Sequence, residues 1–206
     1  NGWLTAYSRP AQHAAGEGYF TFVQNYRGST GRGVEFALES FGRPAKEEFD
    51  DVVDGIDYLD ERGMIDPERV GITGGSYGGY ATLAGMTFTP ELYAAGVSYV
   101  GPSSLFTLLE SIPPYWEPMR ESMYEMIGHP EKDKERLRAV SPLFHIDQLE
   151  SPLMILQGAN DPRVKQAESD QIVAALRERG IDVAYMLKED EGHGFANEEN
   201  RFDAYR

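Results

Sequence analysis

Apolar residues fall into short runs that alternate with longer stretches of helical spacing. Gly18-Tyr19-Phe20-Thr21-Phe22-Val23-Gln24-Asn25-Tyr26 predicts a strand. Pro44 to Arg62 sets Phe49, Val52, Val53, Ile56, Tyr58 and Leu59 mostly along one stripe, which predicts a helix. Further strands are expected at 69–73, 94–100, 151–157 and 182–187, with helices at 80–86 and about 166–179. Residues 102–149 form a long excursion rich in aromatics, prolines and charges. Alternating strands and helices predict an α/β fold with a doubly wound, mostly parallel sheet and helices on both faces. No repeat, low-complexity run or linker divides the chain, so a single domain over residues 1–206 is expected.

One junction in this pattern carries chemistry. Gly74-Gly75-Ser76-Tyr77-Gly78-Gly79-Tyr80 stands between a strand-like and a helix-like run, with glycines two before and two after the serine. Strand, Gly-x-Ser-x-Gly, helix is the nucleophile elbow of an α/β-hydrolase. The tight turn strains the serine backbone, and Gly74 and Gly78 are expected to relieve crowding on either side. The bland alternative is an ordinary glycine turn with a solvated serine.

An elbow needs a base and an acid, in the chain order serine, acid, histidine. Of the four histidines, His13 precedes the serine. His129 lies in a charged, helix-like stretch, and His145 suits a packing role in Pro142-Leu143-Phe144-His145-Ile146. His193 follows the last strand in Glu191-Gly192-His193-Gly194, at a carboxyl end where catalytic groups gather. Among 34 Asp and Glu residues most must be solvated surface. Asp161 stands in the exit loop of the strand preceding that of His193 and is the expected acid. Asp190 is second, close to His193 in sequence; Asp147 and Asp170 lie away from strand ends.

Composition narrows the partners. With 41% hydrophobic residues the chain can bury a sizeable core, and no apolar run reaches the length of a membrane span. A net charge of −15 argues against nucleic acid and anionic membranes. Zero cysteines leave no disulfide and no thiolate; this fits a cytoplasmic protein of a bacterium or archaeon and does not exclude export. The glycine-rich loop Arg27 to Gly33 has neither a Gly-Lys-Ser/Thr nor a G-x-G-x-x-G pattern, so no nucleotide cofactor is expected. Scattered histidines predict no metal site. A homo-oligomer is compatible with the sequence.

Four segments together resemble the prolyl oligopeptidase family, in its acylaminoacyl-peptidase and dipeptidyl-peptidase-like branches. They are Asn25-Tyr26-Arg27-Gly28-Ser29-Thr30-Gly31, the elbow, Asp161-Pro162-Arg163-Val164 and Glu191-Gly192-His193-Gly194-Phe195. The resemblance runs from about residue 18 to the end. It implies a serine peptidase acting on short peptides. It also implies that Arg163 holds a backbone carbonyl of the bound peptide, and that Tyr77 offers its N–H to the oxyanion. The Tyr77 ring, Val164 and Phe106 would line the pocket for the side chain at the cleaved bond. The family's His-Gly-Gly-Pro-like oxyanion loop is not found, and the chain opens at Asn1. The expectation is therefore the carboxyl-terminal part of a larger protein, lacking the first strands and an amino-terminal β-propeller. A carboxylesterase on the same fold and a non-catalytic binding domain are the alternatives.

Overall fold

The computed structural model describes residues 8–206, which divide between Pro67 and Glu68 into two compact units. The first unit is helical: α1 (Arg9–Gly16), α2 (Val34–Leu38) and α3 (Glu47–Glu61). The helix expected from Pro44 begins instead at Glu47. Glu48, only 3% exposed, accepts the Ala45 N–H at 2.8 Å and the Lys46 N–H at 3.4 Å, which fixes that start. Ile56 and Leu59 are its buried apolar residues, whereas Tyr58 is exposed.

The strand expected at 18–26 is not formed. A strand exists through its ladder, and residues 19–26 have no ladder partner; Tyr19, Phe20, Phe22 and Val23 are all exposed rather than alternately buried. The segment is held to α3 by side chains instead. Gln24 Nε2 donates to the Asp51 carbonyl at 2.5 Å. Arg27 donates to Asp51 through both its backbone N–H (2.7 Å) and its Nε (2.8 Å).

The second unit carries the sheet. β1 (Gly71–Gly75), β2 (Ala95–Tyr99), β3 (Leu153–Gly158) and β4 (Ala184–Lys188) run parallel, in the order β1-β2-β3-β4. α4 (Tyr77–Phe88) follows β1 and α8 (Gln166–Glu178) follows β3. Between β2 and β3 the excursion folds as α5 (Leu105–Glu110), α6 (Arg120–Met126) and α7 (Lys134–Ala139), with 3-10 turns at Pro114–Met119 and Pro142–Gln148; α9 (Glu198–Ala204) ends the chain. Three expected strands start about two residues late, and at β3 the reason is visible: Pro152 has no N–H for the ladder.

α4 is the buried centre. Tyr80, Leu83, Ala84 and Met86 are at most 1% exposed, and the helix packs on β1, β2 and the Pro142–Gln148 turn. The polar tip of Tyr80 donates to the Val140 carbonyl at 2.7 Å, so its burial leaves no stranded hydroxyl. α8 packs on β3 and the same turn through Ile172, Val173 and Leu176. Buried Glu168 on α8 accepts the N–H groups of Ser103 (3.0 Å) and Ser104 (3.1 Å), tying the exit of β2 to this layer. Burial raises its pKa above the ordinary carboxylate value, against the pull of its donors. Parallel strands all end on one edge, and β1, β2, β3 and β4 deliver residues 76, 99–104, 159–164 and 189–195 there.

Candidate active site

Ser76 sits between β1 and α4 with φ 58° and ψ −116°, the strained turn that the motif predicts. A Cβ on Gly74 would lie 2.4 Å from the Gly78 carbonyl oxygen, so only glycine fits there. The second motif glycine behaves differently from the expectation: a Cβ on Gly78 would meet nothing within 4 Å. The crowding falls on Gly74 because the turn brings the Gly78 backbone over it.

The Ser76 N–H donates to the Tyr99 carbonyl at 2.9 Å, joining the elbow to the end of β2. Val100, the next residue, has φ 45°, a conformation that a β-branched residue rarely adopts. Strain is thus concentrated on two adjacent strand ends.

Asp161 and His193 are positioned by a different device. β3 and β4 are neighbours, and their exit loops are stitched together by backbone bonds. Ala159 N–H donates to the Lys188 carbonyl (3.0 Å) and Asn160 N–H to the Glu191 carbonyl (2.8 Å). Asn160 Nδ2 donates to the Glu189 carbonyl at 2.6 Å. A Cβ on Gly158 would come within 2.3 Å of the Gly192 carbonyl oxygen, so the loops meet only over a glycine.

Asp161 Oδ2 thereby reaches His193 Nδ1 at 2.7 Å. Asp161 Oδ1 accepts the N–H groups of Arg163 (2.8 Å) and Val164 (3.0 Å), which fixes the carboxylate. Its side chain is wholly buried, and that of His193 is 14% exposed. An ionised carboxylate only accepts, so Nδ1 carries the proton and Nε2 is the acceptor. Nε2 lies 3.0 Å from Ser76 Oγ. The result is a continuous carboxylate–imidazole–hydroxyl chain, an arrangement able to take a proton from the serine as it attacks and return it to a leaving group.

His193 is held from both sides of its loop. Glu191, 2% exposed, accepts from Ala196 N–H (2.7 Å), Asn197 N–H (2.9 Å) and Asn200 Nδ2 (2.8 Å). Burial pushes this carboxyl up, but the three donors outweigh burial and hold it below the ordinary glutamate value. Phe195 N–H donates to the Tyr99 hydroxyl, and the two rings meet edge-on at 4.9 Å. Sequence reasoning missed both anchors, Glu191 and Tyr99. Their only signal was position: a carboxylate two residues before the histidine, and a tyrosine at a strand's carboxyl end.

The other candidates lie as follows. Asp190 is engaged by Asn197 Nδ2 (3.2 Å) and Asn200 Nδ2 (3.0 Å), which hold it below the usual carboxylate range; it does not meet the imidazole. His145 packs edge-on against Phe88, and His129 lies beside Tyr124. Tyr77 is the first residue of α4, 42% exposed, with its ring 5.4 Å from that of Tyr80. Arg163 is exposed, its guanidinium 6.0 Å from the centroid of Trp116. Trp116 borders an open cavity of about 310 Å³ with Met119, Ser122, Met123 and Met126. Val164 is 4% exposed, so it presents little surface beyond the N–H it gives to Asp161. Phe106 belongs to a separate cluster, edge-on to Phe144. Among the described residues no helix is long and apolar enough to cross a membrane.

Known proteins share this architecture. The profile of the prolyl oligopeptidase family matches residues 5–206. The chain is 50% identical over 191 residues to dipeptidyl aminopeptidase BIII of Pseudoxanthomonas mexicana, covering 92% of this chain and 28% of that protein. It is 42% identical to dipeptidyl peptidase family member 6 of Caenorhabditis elegans, covering 100% of this chain and 27% of that one. A puromycin-hydrolyzing peptidase from Mycobacterium tuberculosis superposes with a TM-score of 0.82 at 31% identity, over 88% of this chain and 27% of the other. The chain thus spans little more than a quarter of the length of these relatives. With a four-stranded parallel sheet, an elbow at its edge and a match over nearly its whole length, the chain has a part of the α/β-hydrolase fold and belongs to the prolyl oligopeptidase family.

Proposed function

We propose that this chain is the catalytic portion of a serine peptidase that hydrolyses short peptides through Ser76, His193 and Asp161, without metal or cofactor. One observation carries this reading: the hydrogen-bond chain from Asp161 through His193 to Ser76, at 2.7 and 3.0 Å.

His193 Nε2 takes the Ser76 proton as Oγ attacks a peptide carbonyl, and Asp161 stabilises the imidazolium. The carbonyl oxygen becomes an oxyanion, received by the Tyr77 N–H at the start of α4, where the helix dipole favours negative charge. Nε2 then protonates the departing amine, leaving an ester on Ser76. Water, activated by the same imidazole, attacks that ester and releases the acid.

Arg163 clamps a backbone carbonyl of the peptide. Trp116 supports this assignment, since a ring centroid 6.0 Å from the guanidinium carbon offers an aromatic face at cation–π range on one side of the fork. The exposed Tyr77 is assigned to the pocket at the cleaved bond; Val164, which is buried, and Phe106, which packs against Phe144, are not.

A fluorophosphonate probe on the full-length protein tests the nucleophile: Ser76 should be labelled, and Ser76→Ala should abolish labelling. Arg163→Ala separates a peptidase from a carboxylesterase. It should lower kcat/KM on dipeptidyl substrates by about 10- to 100-fold, the worth of a hydrogen bond to a charged group, and leave a short p-nitrophenyl ester unaffected. Equal losses on both substrates would remove the clamp, and no loss on either would favour the esterase.

A further inference from the structure

We infer that Tyr99 is a positioning residue that holds His193 in register with Ser76, through its main-chain carbonyl and its hydroxyl. This rests on the proposed peptidase reading, and it concerns a part of the geometry that the strand order leaves open. Asp161 and His193 stand in the exit loops of adjacent strands, β3 and β4, and those loops are bonded directly. Ser76 stands on β1, and β2 lies between it and β3. Something on β2 must therefore carry the register across.

Tyr99 is the last residue of β2, paired in the ladder with Gly75 on one side and Leu156 on the other. Its main-chain carbonyl accepts the Ser76 N–H at 2.9 Å. Its hydroxyl accepts the N–H of Phe195, two residues beyond the imidazole. Its ring packs edge-on with Phe195 at 4.9 Å and 74°. One rigid residue thus touches the backbone that carries the nucleophile and the backbone that carries the base. The strained φ of 45° at Val100 turns the chain immediately after it, so the tyrosine ends the strand at a fixed point.

The hydroxyl is chemically suited to the task. Burial pushes Tyr99 up to about 12, with further contributions from the charges of Glu191, Tyr205 and Asp161, against the pull of the Phe195 N–H. It therefore stays neutral near neutral pH and keeps a lone pair for the Phe195 amide. A phenylalanine would retain the ring contact and lose that acceptor. The consequence is geometric: an error of about 1 Å between nucleophile and base can cost about 10²-fold in rate. Loss of one anchor among several at this loop should cost less, about tenfold.

Tyr99→Phe in the full-length protein tests the inference. The expected result is a drop of about tenfold in kcat with KM within twofold, an equal slowing of fluorophosphonate labelling, and an unchanged acid limb of the pH profile. In parallel, hydrogen exchange of the Phe195 amide should accelerate by at least tenfold. Phe195→Leu keeps that amide and removes only the ring contact, so a kcat loss equal to that of Tyr99→Phe would overturn the role of the hydroxyl. Unchanged Phe195 exchange in Tyr99→Phe would also overturn it, as would kcat within twofold of wild type. A variant with lowered thermal midpoint and kcat and KM degraded together would reduce Tyr99 to a packing residue. Amide exchange needs no substrate. If the wild-type protein proved to have no peptidase activity, the exchange result would still decide whether Tyr99 anchors the histidine loop.

Discussion

The elbow at 74–79 and the histidine loop at 189–200 lie on the same sheet edge but are specified by different physics. The elbow is built from local sterics: Ser76 at positive φ, with the Gly78 backbone pressed over Gly74. The histidine loop is built from acceptors: Glu191 and Asp190 gather donors within the loop, and the Tyr99 hydroxyl takes the Phe195 N–H from the end of β2. At the elbow steric exclusion acts across four positions, from Gly74 to Gly78, and leaves glycines as its trace. Acceptor anchoring can join residues as far apart as Tyr99 and Phe195, and can use any carboxylate or hydroxyl. The first device is therefore readable in a single sequence, and the second is not.

The largest expected effect joins the two devices at the imidazole. Asp161→Asn keeps the shape but exchanges an obligate acceptor for an amide that can donate to Nδ1, allowing the wrong tautomer. Turnover should fall by about 10⁴-fold with the fold intact, as in other triads of this kind. Steady-state kinetics on the full-length protein, with circular dichroism as the control, measures it. If Asp190→Asn collapses while Asp161→Asn stays within tenfold of wild type, the acid has been misassigned.

Gly74→Ala attacks the steric device alone. The new methyl would meet the Gly78 carbonyl oxygen at 2.4 Å, and backbone against backbone cannot yield without moving Ser76. Labelling by a fluorophosphonate should slow by about 10²-fold, the typical cost of a displacement near 1 Å. A labelling rate close to wild type would show that the elbow tolerates what its geometry forbids.

Legibility follows the same division elsewhere. The strands at 71–75, 95–99, 153–158 and 184–188 were readable to within about two residues from short apolar runs bounded by turns, although only β3 is buried along most of its length. That Ser76, His193 and Asp161 meet could be anticipated from strand ends and chain order. Residues 18–26 have the same apolar look and no ladder; whether such a run pairs depends on a neighbour that periodicity cannot see. Gln24 and Arg27, whose bonds tie the segment to α3, reach Asp51 across more than twenty positions, beyond any local pattern. Trp116 was hidden for a similar reason. Only the folded excursion brings it to Arg163.

Glu191→Gln weakens the acceptor device while leaving the elbow alone. The carboxylate takes two backbone N–H groups and Asn200 Nδ2; an amide would turn its own donor toward one of them. Leaving a buried donor unsatisfied costs about 1–3 kcal/mol, so the thermal midpoint should fall and turnover should drop about tenfold. The pH dependence has a definite sign. Because the folded-state value of Glu191 is lowered, its contribution to stability is fully present above the ordinary glutamate value. That contribution is lost as the pH falls through the lowered folded value. The variant should therefore lose most at neutral pH, and the gap to wild type should close on acidification from about pH 6 to pH 3. A constant gap across that range would assign the effect to packing.

The smallest expected effect is the sharpest test of the steric account, because it contradicts the motif. Gly-x-Ser-x-Gly gives Gly74 and Gly78 equal weight, yet the space around them differs completely: a methyl at Gly78 meets nothing within 4 Å. Gly78 is the second residue of α4, its φ is not positive, and its carbonyl accepts the Thr82 hydroxyl at 2.9 Å. Alanine can adopt this conformation without strain, and it loses less backbone entropy on folding than glycine. Gly78→Ala should leave labelling and turnover within about twofold of wild type, and raise stability by about 0.4–1 kcal/mol. Denaturant unfolding of the two proteins at equal concentration measures that gain. If Gly78→Ala instead falls with Gly74→Ala, the requirement at that position is not clearance inside this chain. Clearance toward a bound substrate would be the remaining demand, and a loss confined to KM would identify it. If stability alone falls, the helix start is more tightly constrained than its open surroundings indicate.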